Sequence, residues 1–425
     1  MRVILPLYAA AATLGAPALR LMLARRLRRG REIADRLAER RGLEATPRPP
    51  GRLVWLHAAS VGETMSVLPV LEALAGAGVQ VLMTTGTVTA AALLDQRLPA
   101  LGLDGCVRHR FVPLDVPAWA ARFLDHWRPD VAGFVESEVW PNLIAGCRRR
   151  AIPMMLVNAR LSPRSFSRWR LAPGLARALF GAFDLAQAQS EGDAERLRAL
   201  GGREVTAPGN LKFAAPELPA DPAELARLRA LLGNRPVWLA VSTHPGEEAI
   251  AAAVHAALAP AHPGLLTLIV PRHPERGAGL AAELAGPPLT RRALGQDPPA
   301  GAGLWIGDTM AELGLFIRLA GPVFVGKSLA GQGGQNPLEP ARLGRAVAVG
   351  PHTGNFADVV AVLREAGALA EVDDAASLAA WVGAMLRDPV RAAAMGRAGI
   401  AAAVRTAFLP GAVAAALLGL ADARA

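Results

Sequence analysis

The chain repeats one pattern over most of its length: a short apolar run, polar residues at its end, and then a stretch with the apolar spacing of a helix. Because strands that alternate with helices form parallel sheets, we predict an α/β protein with two Rossmann-like, doubly wound domains. The Pro- and Ala-rich stretch Ala214–Pro222 is the predicted linker. The predicted strands are Leu53–Leu56, Val79–Met83, Val107–Val112, Val131–Val135, Met154–Val157 and Asp184–Ala188, then Val237–Val241, Leu265–Val270, Leu304–Ile306, Val323–Val325, Ala346–Val349 and Leu369–Val372.

Residues 3–24 are almost wholly apolar and are followed by the basic cluster Arg25–Arg31. Their length suits one membrane helix, and the basic flank marks the cytoplasmic side. Arg20 and two prolines shorten the clean span, so a helix that only dips into the membrane is one open alternative. The other is a cleaved signal peptide, since Ala16–Ala18 resembles a small-residue cleavage site, although most of the positive charge lies on the wrong side for export. We therefore divide the chain into an N-terminal membrane anchor (1–24), two Rossmann-like domains (25–213 and 214–405) and a C-terminal helix (406–425).

Composition narrows the possible partners. A net charge of +10 predicts an acidic partner such as anionic lipid, a phosphorylated substrate or nucleic acid. Only one tyrosine is present and no stretch interleaves aromatic with basic residues, which counts against nucleic acid. Two cysteines cannot build a disulfide framework and fit a reducing compartment. Lys212 and Lys327 are the only two lysines, so nearly all of the positive charge is arginine.

Ligands of doubly wound sheets bind at the carboxyl ends of the strands, so polar residues at these ends are candidate site residues. We expect two such sheet edges to form a cleft between the domains. Ser60 and Glu63 follow the first strand and form a plausible capping box, in which the helix dipole would keep Glu63 ionised. Glu136 and Glu138 follow another strand, and we expect one to cap a helix while the other faces the cleft. A basic loop, Asn158–Arg170, fits either a solvated face or a site for phosphates.

The second domain carries a match to the Walker A motif and a better candidate for phosphate binding. Gly321–Ser328 fits the Walker expression, but its middle is the predicted strand, so we interpret the match as false. Gly331–Gln335 is a glycine loop that leads to Asn336 as helix cap, Pro337 as first helical residue and Glu339. Arg272 follows a buried strand and is a good phosphate ligand. His244 and His273 lack further ligands at metal-binding spacing, so we expect no metal.

Taken together, these motifs resemble the Kdo (3-deoxy-D-manno-octulosonic acid) transferases of bacterial lipid A assembly. The resemblance implies a GT-B fold, with an acceptor-binding first domain and a donor-binding second domain. It implies CMP-Kdo as donor, no cofactor, and an anchor at the cytoplasmic face of the inner membrane, among anionic lipids. The implied acceptor is the lipid A precursor, a tetra-acylated, bisphosphorylated glucosamine disaccharide. The matching stretches are His57–Glu63, Glu136–Asn142, Asn158–Ser162, Gly209–Phe213, Ser242–Glu248, Pro271–Arg276, Gly307–Leu313 and Gly333–Glu339.

By the same resemblance, Glu63 is the general base, and Glu136 and Lys212 stabilise the transition state. The chain departs from the family pattern at Ala311, where Gly is usual, at Gln335, where His is usual, and at Lys327, where Gly is common. The implied CMP contacts are Pro271, Arg272, Met310, Ala311, Glu312, Asn336, Pro337, Leu338 and Glu339.

The expected reaction is a direct displacement with inversion, in which Glu63 takes the proton of the acceptor hydroxyl and CMP departs. Two alternatives stay open. One is another GT-B enzyme of envelope assembly that uses a UDP-sugar. The other is a non-catalytic, membrane-tethered protein that binds anionic lipid through its arginines.

Overall fold

The structure, a computed structural model, describes residues 4–214, 217–284, 286–405 and 407–423. The chain divides into two compact units. The first comprises Met1–Ala215 and Thr406–Ala425, and the second comprises Pro216–Arg405. The C-terminal helix, expected as a separate segment, thus belongs to the first unit.

Each unit is built on a seven-stranded sheet in which the paired strands are parallel. In chain order the strands are β1 (Leu53–Ala58), β2 (Gln80–Thr85), β3 (Val107–Phe111), β4 (Val131–Val135), β5 (Met154–Ala159), β6 (Leu185–Ala188), β7 (Val205–Thr206), β8 (Val237–Thr243), β9 (Leu266–Pro271), β10 (Leu289–Arg291), β11 (Gly303–Ile306), β12 (Val323–Val325), β13 (Val347–Val349) and β14 (Leu369–Glu371). The first sheet has the order β3-β2-β1-β4-β5-β6-β7 and the second has the order β10-β11-β9-β8-β12-β13-β14.

Helices occupy most of the connections between the strands. In chain order they are α1 (Ile4–Leu14), α2 (Ala16–Arg28), α3 (Val61–Gly76), α4 (Val88–Ala100), α5 (Pro117–Trp127), α6 (Pro141–Arg149), α7 (Pro163–Trp169), α8 (Pro173–Phe180), α9 (Glu191–Ala199), α10 (Pro222–Leu232), α11 (Glu247–Leu258), α12 (Gly277–Glu283), α13 (Leu313–Leu319), α14 (Leu338–Arg342), α15 (Ala357–Glu365), α16 (Ala375–Arg387), α17 (Pro389–Val404) and α18 (Leu409–Asp422).

The twelve predicted strands are all present, with ends that differ by at most two residues. The apolar runs were enough to predict these strands because the central strands are covered on both faces. Every residue of β1, β4 and β9 is buried. Two edge strands were missed, β7 and β10. They are two and three residues long and hold polar side chains, so they carry no apolar run.

Strand order brings Glu63 and Glu136 to one point of the first sheet, after β1 and β4, and brings Arg272 and the segment that leads to Glu339 to the matching point of the second, after β9 and β12. In the first sheet the order reverses beside β1, which pairs with β2 on one side and β4 on the other. In the second sheet β8 occupies the equivalent place between β9 and β12. A crevice for ligands opens at the carboxyl ends of strands at such a reversal.

The apolar N-terminal segment forms two helices rather than the single one we expected. α1 and α2 meet at Gly15 with a bend of 57°, and Pro17 near the start of α2 explains the break because it lacks an N–H group. The pair is apolar and long enough to count as one broken membrane span. One face contacts the first unit, where the Tyr8 hydroxyl donates to Asp115 Oδ2 at 3.1 Å, while Leu14 is 83% exposed.

The C-terminal helix α18 completes the core of the first unit. Leu409, Val413 and Leu417 are buried in the same apolar cluster as Val54 and Leu56 of β1. The apolar stretch that includes α18 is also long enough to span a membrane, but these contacts account for its composition.

Candidate active site

The turn after β1 holds Glu63 in a fixed position. Ser60 caps α3, and its Oγ accepts the Glu63 amide proton at 3.3 Å. The Glu63 carboxylate turns back and accepts hydrogen bonds from the Ser60 hydroxyl and from the Ala59 amide, each at 2.8 Å. The predicted capping interaction is therefore present, and the same contacts direct the side chain.

The electrostatic surroundings of Glu63 favour its protonated form more than expected. Burial raises the pKa of Glu63 above its ordinary value, and the negative charges of Glu138 and Glu136 add to this effect. The hydrogen bonds from Ser60 and Ala59 act in the opposite direction without cancelling it. The contacts at the helix start thus lower the pKa of Glu63, as expected for this position, but burial has the larger effect. A carboxylate with a raised pKa is a stronger base once it is deprotonated.

Glu138 is held by two aromatic residues, His57 and Trp140. Its Oε2 lies 3.3 Å from His57 Nε2 and accepts a hydrogen bond from Trp140 Nε1 at 2.7 Å. Burial alone raises the pKa of Glu138, but these hydrogen bonds outweigh it and hold the pKa below its ordinary value. Glu138 is therefore ionised at neutral pH.

The expectation that Glu136 or Glu138 caps a helix was wrong. The first amides of α6, those of Asn142 and Leu143, donate instead to Asp115, each at 3.0 Å. Asp115 follows a different strand, β3, and is distant in sequence, which is why local spacing did not identify it.

Glu136 forms an ion pair with Lys212. The Nζ of Lys212 lies 2.8 Å from Glu136 Oε1, and both side chains are largely buried, with 30% and 15% exposed. Glu136 follows β4 with a φ of 56°, and Asn158 at the end of the neighbouring strand β5 has a φ of 52°. This left-handed conformation costs a residue such as glutamate about 1 kcal/mol or more, whereas asparagine adopts it more readily, so the strain lies at Glu136. Two of the three predicted catalytic residues thus meet directly, and the third, Glu63, is close enough for Glu136 to act on its pKa.

In the second unit, Arg272 and Glu339 lie near each other. Arg272 follows Pro271 at the end of β9, its amide donates to Thr243 O at 3.0 Å, and its side chain is exposed. Burial raises the pKa of the Glu339 carboxyl, opposed by a hydrogen bond with Asn336 and by the charges of Arg272 and Arg342. A cation beside a carboxyl suits the phosphate and the ribose hydroxyls of a nucleotide.

The helix after the glycine loop begins later than predicted. Pro337 is the cap and α14 starts at Leu338, so Asn336 lies one residue before the cap. Asn336 Oδ1 still accepts the Leu338 amide proton at 3.1 Å. Gly333 requires its glycine, because φ is +96° and a Cβ would lie 2.5 Å from Asn355 Nδ2.

In the segment Met310–Glu312, the side chain of Glu312 already makes contacts within its own unit. Met310 is 76% exposed, and Ala311 has a φ of 64°, which explains why glycine suits this position. The Glu312 carboxylate pairs with Arg292 at 2.6 Å and accepts a hydrogen bond from the Thr309 hydroxyl. The hydrogen bond from Arg292 holds the pKa of Glu312 below its ordinary value.

The Walker-like segment is not a phosphate loop. The carboxylate of Glu247, which is fully buried, accepts hydrogen bonds from the amides of Lys327, Ser328 and Leu329 at 2.6, 2.9 and 3.0 Å. These are the amides that a nucleotide phosphate would need, and the middle of the motif is strand β12, as expected.

Two histidines of the second unit, His244 and His273, lie close together, with their rings 6.0 Å apart. Gln335 places its Nε2 3.2 Å from His244 Nε2. Within the described residues no three His, Cys, Asp or Glu side chains are grouped as a metal site would require.

Of two residues near Lys212, Gln189 was missed as a site residue, whereas Asn210 lies within the matching stretch Gly209–Phe213. Gln189 and Asn210 both contact the Glu136–Lys212 pair or the backbone that carries it. Gln189 immediately follows β6, so the rule about the carboxyl ends of strands identifies it without a motif.

Solved structures of the same architecture define the class. UDP-GlcNAc 2-epimerase from Neisseria meningitidis matches 85% of this chain and 100% of its own at 15% identity, with a TM-score of 0.56. A glycosyltransferase from Rickettsia africae matches 87% of this chain and 99% of its own at 12% identity, with a TM-score of 0.55. The protein therefore has two parallel-sheet α/β domains that resemble those of GT-B glycosyltransferases.

Sequence comparison gives the family. Residues 35–215 match the family described as 3-deoxy-D-manno-octulosonic-acid transferase (kdotransferase). The 3-deoxy-D-manno-octulosonic acid transferase of Bordetella pertussis is 36% identical over 90% of this chain and 91% of its own length. This chain belongs to the Kdo transferase family and is a glycosyltransferase.

Proposed function

We propose that this protein transfers Kdo from CMP-Kdo to a hydroxyl group of the lipid A precursor, with inversion at the anomeric carbon. Family membership supports the sugar that is transferred. The observation that carries the assignment of the base is the position of Glu63, whose carboxylate is fixed by two hydrogen bonds and whose pKa is raised.

In the proposed reaction Glu63 removes the proton of the acceptor hydroxyl as its oxygen attacks the anomeric carbon. The bond from that carbon to the phosphate oxygen of CMP breaks on the opposite face, and the phosphate keeps the electron pair. Glu136 and Lys212 stabilise the charge that develops on the sugar. Their 2.8 Å contact holds the two groups ready before the substrate binds.

The donor is proposed to bind the second unit. Arg272 carries an exposed positive charge beside Glu339, which suits the single phosphate of a nucleoside monophosphate sugar. Met310, Ala311 and the segment from Asn336 to Leu338 complete the proposed contacts with CMP. Glu312 would contribute through its backbone, because its carboxylate is used by Arg292.

The acceptor is proposed to be the tetra-acylated, bisphosphorylated glucosamine disaccharide. Its phosphates match the exposed guanidinium groups of Arg164, Arg168 and Arg170 on and just after α7. Its acyl chains place it in a membrane, so we also propose that the protein works at the cytoplasmic face of the inner membrane. The exposed apolar side chains of α1 and α2 and the following arginines would hold it there. The bend and the contact between Tyr8 and Asp115 favour a helix pair that dips into the membrane over one that spans it.

The proposal is tested by incubating the protein with CMP-Kdo and the tetra-acylated precursor and measuring the product by mass spectrometry, which also counts the Kdo residues added. Replacing Glu63 by Gln should lower the rate by about 10²–10⁴-fold while CMP-Kdo still binds, because a single well-placed base contributes that much. Glu72 is exposed on the same helix, so Glu72→Gln is the matched control and should transfer at the wild-type rate. Transfer by Glu63→Gln at a near wild-type rate would refute the assignment of the base.

The same assay separates the alternatives. Release of UDP from a UDP-sugar, with no CMP released from CMP-Kdo, would indicate another envelope glycosyltransferase of the GT-B type. Tight binding to anionic vesicles without turnover of either donor would indicate a non-catalytic lipid-binding protein.

A further inference from the structure

Four residues from separate parts of the first unit form a closed network: the pair Glu136 and Lys212, together with Gln189 and Asn210. Gln189 Nε2 donates to Glu136 Oε1 at 3.4 Å and to the Asn158 carbonyl at 3.0 Å. Asn210 Nδ2 donates to Gln189 Oε1 at 3.1 Å, and Asn210 Oδ1 accepts the Lys212 amide proton at 2.9 Å. Lys212 closes the network through its ion pair with Glu136.

We propose that Gln189 and Asn210 are positioning residues for transfer, which act by fixing Lys212 against Glu136. This inference rests on the proposed function, because it assigns Glu136 and Lys212 to the transition state. An ammonium group has three N–H donors, and the contact with Glu136 uses one. Fixing both ends of the Lys212 side chain determines where the remaining donors point.

The orientation of Gln189 follows from its neighbours. Its amide nitrogen faces two acceptors, a carboxylate and a carbonyl, and its oxygen faces an amide donor. Neither glutamate nor the flipped amide satisfies this set, because both would place an oxygen against Glu136. The amide of Gln189 is therefore suited to hold the Glu136 carboxylate in one position.

Backbone strain supports a positioning role over simple packing. Glu136 and Asn158 both have left-handed φ values, and Asn158 Oδ1 accepts the Leu211 amide proton at 2.9 Å. The network thus links the strained end of β4 at Glu136, and the end of β5, to the turn that carries Lys212. Strain of this kind persists where the surrounding contacts enforce it, and it concentrates at functional sites.

The first test is kinetic, on the full-length protein. Gln189→Met should lower kcat by about 10- to 100-fold, as displacement of a reacting group by an ångström does, and should leave the KM for CMP-Kdo within about 3-fold. Gln189→Glu, which keeps the size of the side chain, should lose at least as much. In a Lys212→Ala background Gln189→Met should have little further effect, because the residue acts through Lys212. Gln187→Met is the matched control, since Gln187 is half-buried on β6, the strand that Gln189 follows, and it should leave kcat unchanged.

A second test does not depend on activity. The chain has only two lysines, so lysine labelled with ¹³C at Cε should give two signals, and Lys327→Arg assigns them. Gln189→Met should move the Lys212 signal and leave that of Lys327 in place, whereas Gln187→Met should move neither. If the Lys212 signal and kcat are both unchanged in Gln189→Met, the positioning role is wrong. If the wild-type protein does not transfer Kdo but the Lys212 signal moves, the network stands and the proposed function fails.

Discussion

Arg40 offers a prediction in which stability and the position of Glu63 are linked. Its Nε lies 3.0 Å from Glu32 Oε2, and the two side chains are only 3% and 2% exposed. Its Nη2 donates to the Gly86 carbonyl at 2.8 Å, and the guanidinium lies 4.3 Å from the centre of the Phe111 ring. The Gly86 amide in turn donates to the carbonyl of Ala59, the residue whose amide holds Glu63.

Replacing Arg40 by Met keeps most of the volume and removes the charge. Glu32 is then left buried with Arg26, whose side chain is 39% exposed, as its remaining ionic partner. Breaking a buried ion pair from one side costs about 3–5 kcal/mol. In a unit of this size that corresponds to a fall in melting temperature of about 6–20 °C. Arg40→Met combined with Glu32→Gln should recover much of the loss, because no fully buried charge is then left unpaired and Arg26, at 39% exposed, is solvated.

Scanning calorimetry of the full-length protein should show this loss as a lower melting temperature of the first unit. Arg148→Met is the control, because the pair of Arg148 with Asp184 is 45% and 33% exposed and such surface pairs contribute about 0–1 kcal/mol. We also expect Arg40→Met to lower kcat below the melting transition, because the Ala59 turn loses support. A loss of stability of less than about 1 kcal/mol, or a double variant no more stable than Arg40→Met, would refute the reasoning.

Two further predictions concern pH dependence and membrane binding. The charge of Glu138 raises the pKa of Glu63, and transfer requires deprotonated Glu63. Glu138→Gln should therefore move the acidic limb of the pH–rate profile to lower pH. A limb that does not move, or that moves to higher pH, would contradict this prediction. Leu14 and Leu21 are 83% and 51% exposed, so replacing both by Ser should leave the fold intact and weaken flotation with anionic vesicles by about 10- to 100-fold. Val390→Ser, at a residue 74% exposed in the second unit, is the control, and equal effects of the two changes would argue against an N-terminal membrane contact.

The sequence predicted the central strands and the turn after β1 because both depend on short-range physics. Runs such as Val131–Val135 are apolar throughout because parallel strands are buried on both faces. Ser60 and Glu63 are three residues apart, so the geometry of one helical turn is enough to predict their contact. The start of α14 was misplaced by one residue, since Asn336 bonds to the helix from just outside it.

The sequence by itself determined the architecture of the two units and the family, and it identified Glu63, Glu136 and Lys212 as candidates. Only the tertiary structure decided what these residues contact. Glu136 meets Lys212 because β4 and the turn at Leu211–Ala214 end at the same edge of the sheet, although 76 positions separate the two residues. The raised pKa of Glu63 likewise comes from burial and from carboxylates on another strand. Spacing along the chain encodes neither, because both depend on side chains brought together by strand pairing and on the water that their packing excludes.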